Sequence, residues 1–60
     1  MISTREEYRN TKEYTDRIQQ ILLGLRAVHT AQEYESISRA YLKELTKAQR
    51  EIAVYLAIPS

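Results

Sequence analysis

Apolar side chains return at steps of three and four along most of the chain, in two stretches whose phases disagree. In the first, Tyr14, Ile18, Ile21, Leu25 and Val28 follow one another at steps of 4, 3, 4 and 3 with Leu22 beside them, the spacing that lines one side of an α-helix. In the second, Tyr34, Ser38, Tyr41, Leu45, Ala48, Ile52 and Tyr55 keep the same rhythm. Extending the first stripe past Val28 lands on Gln32, Glu35 and Arg39, all polar, so one straight helix cannot bury both stretches on one side. The break falls on "HTAQE" and predicts a tight turn at His29 and Thr30.

Start and stop signals fit that division. Ser3 with Glu6 three residues later is a capping-box spacing, in which a hydroxyl and a carboxylate each satisfy an otherwise unpaired backbone N–H. Thr30 with Glu33 repeats it. The single proline, Pro59, closes the second stretch, and good helix formers fill both. The expected architecture is all-α: residues 1–60 form one antiparallel two-helix hairpin, with a helix over about 4–28, a turn at 29–30 and a helix over about 31–58. Gly24, the only glycine, either caps an early end of the first helix or lies inside it and admits a bulky partner residue.

A lone hairpin of 60 residues without cysteine has one seam to hold it together. Large apolar residues also stand off the two stripes, at Leu22, Leu23, Ile37, Leu42, Val54, Leu56 and Ile58, and these call for a second surface. The simplest closed answer is a homodimer in which two hairpins make a four-helix bundle, because two-fold symmetry covers both second faces with one interface. The core and interface set expected on these grounds is Tyr14, Ile18, Ile21, Leu22, Leu25, Val28, Tyr34, Ile37, Tyr41, Leu45, Ala48, Ile52, Tyr55 and Leu56.

Charge adds one surface candidate. The stretch "REEYRNTKEYTDRI" mixes basic residues with two tyrosines, but Arg9–Glu13, Glu13–Arg17 and Lys12–Asp16 are opposite charges four apart, the pattern of a solvated helix face. In the second helix Arg39, Lys43, Lys47 and Arg50 put four cations on one flank, although Glu35, Glu44 and Glu51 stand among or beside them. That flank is the candidate contact for nucleic acid or an acidic partner. A formal net charge of +1 lacks the basic excess that dominates most nucleic-acid affinity.

Chemistry has few materials here. One histidine, one aspartate and no cysteine leave no catalytic, metal-ligating or cofactor-binding constellation, and there is no Gly-rich phosphate loop. Lone His29 suits a polar turn residue, and Ser36 and Ser38 have no base nearby in sequence. No apolar run reaches the ~18 residues of a membrane span, and "MISTREEYRN" has no secretory pattern, so a non-enzymatic, cytoplasmic protein is expected.

The opening "MISTREEYRNTKEYTDRI" resembles the start of HigA-like antitoxins of toxin–antitoxin systems, where an "I-x-x-x-x-x-Y-x-x-T-K" beginning leads a helix; here these are Ile2, Tyr8, Thr11 and Lys12. The later "HTAQEYESISRAYLKELTKAQREIAVYLA" resembles the second leader helix of that family, with "EI-x-x-Y" matched by Glu51, Ile52 and Tyr55. In the family the leader precedes a helix-turn-helix DNA-binding domain, and this chain stops at Ser60, where that domain would begin. No DNA-reading residue therefore has a counterpart. The resemblance implies a dimerising or partner-binding leader. Three roles are compatible with the residues: a self-associating interaction module, a small nucleic-acid-associated protein using the basic flank, and an antitoxin-type fragment that folds on a toxin.

Overall fold

Local capping fixes where each helix begins. Thr4 holds an extended backbone and its hydroxyl accepts a hydrogen bond from the Glu7 backbone N–H at 3.1 Å. The Glu7 carboxylate in turn accepts from the Ser3 hydroxyl at 2.8 Å and the Thr4 hydroxyl at 3.1 Å. This corrects the expected Ser3–Glu6 box by one residue: Thr4, not Ser3, is the cap, because a Ser-Thr pair offers two hydroxyls and Glu7 reaches both. At the second start the Thr30 hydroxyl accepts from the Glu33 N–H at 3.2 Å, while the Glu33 carboxylate accepts from the Thr30 N–H at 3.0 Å, a complete capping box.

The resulting computed structural model describes residues 2–59 as a hairpin of α1 (Arg5–Val28) and α2 (Ala31–Ala57), joined through His29 and Thr30. Ile58 is already extended at φ −82° and ψ 121°, since the ring of Pro59 disfavours helical backbone in the residue before it. Gly24 lies inside α1 with an ordinary negative φ, and a Cβ added there would meet nothing within 4 Å. It neither ends the helix nor receives a bulky neighbour within this chain.

The two helices meet along a seam whose α1 side is Tyr8, Thr11, Thr15, Ile18, Leu22, Leu25 and His29, every one of them buried or half-buried. The expected α1 stripe is thus rotated. Ile18, Leu22 and Leu25 pack in the seam as expected, but Thr15 is buried where Tyr14 was expected, Ile21 is 38% exposed and Val28 is 76% exposed. Thr15 is buried in the seam, as are Ser38 at 1% exposure and Ala48 on α2, so small side chains stand there among the larger Ile18, Leu22, Leu45 and Ile52. The buried hydroxyls turn back on their own helix, Thr15 donating to the Lys12 carbonyl at 2.7 Å and Ser38 to the Glu35 carbonyl at 3.5 Å. On α2 the expected register is the seam itself: Tyr34, Ser38, Leu45, Ala48, Ile52 and Tyr55 are buried or half-buried, with Tyr41 at the edge.

Aromatic contacts close the seam at both ends. Tyr8 stacks on Tyr55 with ring centroids 5.3 Å apart at the open end, and the Arg26 guanidinium lies 5.6 Å from the Tyr34 ring centre near the turn. Ile2 adds a cover, 6% exposed and sharing a small concavity with Arg50, Glu51 and Val54 of α2. The hairpin measures 45 × 14 × 12 Å, one helix pair thick.

Candidate partner-binding surfaces

A two-helix seam leaves two open sides, and here they differ. Steps of seven on a helix keep a residue on one row, so Tyr14, Ile21 and Val28 form the α1 row on one side of the seam. Tyr14 lines a groove with Asn10 and Thr11 of α1 and Glu44, Lys47, Ala48 and Glu51 of α2, which identifies the α2 row on that side as Ile37, Glu44 and Glu51. Tyr14, Ile21, Val28, Ile37 and the seam-edge Tyr41 therefore make an apolar strip between the middle of the hairpin and its turn, each more than a third exposed. The opposite side carries Lys12, Gln19 and Arg26 from α1 and Leu42, Gln49 and Leu56 from α2.

The residues expected for core or interface thus fall into three places. Ile18, Leu22, Leu25, Tyr34, Leu45, Ala48, Ile52 and Tyr55 pack in the seam; Tyr14, Ile21, Val28, Ile37 and Tyr41 sit on the apolar side; Leu56, 64% exposed, stands on the other. Ile2, Thr11 and Thr15 are packed residues that the sequence pattern did not disclose. Two of them are threonines, which count as polar in any periodicity, and Ile2 precedes the helix.

The four cations are brought together on the outer side of α2, where Arg39, Lys43, Lys47 and Arg50 line one shallow open surface with Leu42, Thr46 and Glu51. Among the described residues none of the four has a salt-bridge partner; the one such contact is His29 to Glu33, with Nδ1 3.6 Å from Oε1, an ion pair only when the imidazole is protonated. The pairs Arg9–Glu13, Glu13–Arg17 and Lys12–Asp16 likewise do not close to salt-bridge distance, as befits long side chains in full solvent.

Hydrogen bonds from the Thr30 backbone and hydroxyl hold Glu33 below the ordinary carboxylate value of 4.5, with a smaller contribution from His29. Those from Ser3 and then Thr4 do the same to Glu7. Among the described residues no three His, Cys, Asp or Glu side chains converge to hold a metal ion, and no helix is long and apolar enough to cross a membrane. Comparison with protein-family models, with curated proteins and with solved structures finds no match to this chain.

Proposed function

We propose that the chain is a non-enzymatic interaction module that self-associates, two hairpins pairing into a four-helix bundle. The observation that carries this reading is the apolar surface a single hairpin leaves in water: ten large hydrophobic side chains are more than a third exposed among the described residues, five of them contiguous on one side. A second copy is the partner that covers such a face with a single type of contact. The resemblance of the two helices to HigA-like antitoxin leaders supports a role of this kind. It also supplies a partner class, a toxin, for the case in which the free chain does not fold alone.

Sedimentation equilibrium read together with far-ultraviolet circular dichroism over a dilution series tests the proposal. A helical dimer whose helicity falls only as it dissociates is the expected result. A helical monomer at every concentration would overturn self-association, and an unfolded monomer would transfer the role to folding on an obligate partner.

One observation favours a second reading, a nucleic-acid-associated protein: four cations share one surface with no carboxylate among the described residues at salt-bridge distance. It requires retardation of duplex DNA that weakens steeply with salt, by about 100-fold between 50 and 200 mM for four phosphate contacts. Retardation that persists in a Lys43→Glu, Lys47→Glu double variant would remove the α2 flank from consideration.

A further inference from the structure

Resting on the self-association reading, we propose that the second copy docks on the Tyr14–Ile21–Val28–Ile37–Tyr41 side of the hairpin, with Lys47 at its rim and Arg39, Lys43 and Arg50 on the outer surface of α2 facing solvent in the dimer.

The area matches. One hairpin exposes 5026 Å², whereas a compact monomer of 7.1 kDa exposes about 4,100 Å² by the usual scaling of surface with mass. The surplus of about 900 Å² is close to the ~800 Å² that each partner contributes to a standard stable interface. Covering one long side of a body 14 Å wide and 45 Å long removes an area of that size; covering an end does not.

Composition separates the two sides. The proposed side presents two tyrosines and three aliphatic side chains, which bury ring and methyl area while the phenolic hydroxyls reach the rim, and its charges Glu44, Lys47 and Glu51 all lie on the α2 edge, away from the turn. On the other side a second copy would have to desolvate Lys12 and Arg26, and Arg26 is already engaged with the Tyr34 ring.

Charge selects the orientation. On the proposed side the α1 edge carries Arg17, while the α2 edge carries Glu44 and Glu51 with Lys47. Laying α1 of one copy over α2 of the other brings Arg17 toward the acidic edge, whereas α1 on α1 opposes Arg17 with itself. Two-fold symmetry then makes the favourable pairing twice.

The test compares substitutions on the two sides, each at exposed positions, by sedimentation equilibrium with helicity measured in parallel. Ile21→Glu and Ile37→Glu are expected to raise the dimer dissociation constant by about 100-fold or more, since symmetry places each new carboxylate in the interface twice. Leu42→Glu and Leu56→Glu are expected to leave it within about three-fold. Loss of the dimer in the Leu42 and Leu56 variants but not in the other pair would overturn the assignment of the face while leaving self-association intact. An unmutated chain that never dimerises would instead overturn the reading on which the assignment rests. Nitration of the unmutated chain by tetranitromethane decides the case in which the variants unfold. Tyr14 and Tyr41 should be protected in concentrated protein and react on dilution, and reactivity of both that does not change with concentration would overturn the proposal.

Discussion

At the residue scale, neighbouring positions in α1 have opposite fates. Leu22 is buried in the seam at 7% exposure and Leu23 is 64% exposed on the far side of the helix, so the two leucines provide a matched pair. Leu22→Ala should lower stability by about 2–5 kcal/mol through lost burial and a residual cavity, and Leu23→Ala by about 0.5 kcal/mol or less, measured by denaturant unfolding at one protein concentration. Equal costs would contradict the burial of Leu22 in the seam. Gly24 offers a change in the other direction. It sits in mid-helix with negative φ and open space around its missing Cβ, so Gly24→Ala should stabilise the chain by about 0.5–1 kcal/mol in the same experiment. Periodicity identified Ile18, Leu22 and Leu25 and missed Thr11 and Thr15. A threonine whose hydroxyl is satisfied by its own helix behaves in a seam as a small apolar residue, and nothing in its identity announces that choice. Thr11 makes such a bond too, donating to the Glu7 carbonyl at 2.8 Å.

At the scale of the elements, the caps carry the pH dependence. Glu7 and Glu33 both have folded-state pKa values below the ordinary 4.5, from hydrogen bonds to Ser3 and Thr4 in the one case and to Thr30 in the other. A depressed carboxylate stabilises the fold fully above its unfolded value, and that contribution is lost as pH falls from 4.5 through the lower folded value. Helicity and unfolding midpoint should therefore decline on acidification below pH 4.5, and a Glu7→Gln, Glu33→Gln double variant should flatten that decline. Thr30→Ala removes the hydroxyl that accepts from the Glu33 N–H and should cost about 1 kcal/mol at neutral pH. The second cap was readable because Thr30 and Glu33 are the only suitable pair at that start. At the first start two overlapping pairs, Ser3 with Glu6 and Thr4 with Glu7, compete, and side-chain reach rather than spacing decides between them.

At the scale of the whole molecule, a body one helix pair thick has its stability tied to what covers its open side. The melting temperature of the unmutated chain should rise with protein concentration, each tenfold increase adding about 1.4 kcal/mol per mole of dimer. A melting temperature independent of concentration across the micromolar range would mean that the seam, the two aromatic end contacts and the Ile2 cover suffice for the hairpin alone. The outer cations of α2 make a separate prediction. Lys43 does not line the proposed side, so Lys43→Glu should leave the association state unchanged while altering its dependence on ionic strength only slightly.

By itself the sequence determined that the chain is two helices, where they turn, and which side of α2 faces inward, because period, capping hydroxyls and the proline are local signals that act within a few residues. The side of α1 that faces inward was decided only by tertiary structure. Two phases of α1 share Ile18, Leu22 and Leu25 and differ in whether Tyr14, Ile21 and Val28 or Thr11 and Thr15 join them, and the packing against α2 takes the threonines. That contest in turn leaves Tyr14, Ile21 and Val28 outside the seam. Those three are residues that periodicity marks as core, and they lie in water because one seam has room for only part of the apolar side of α1.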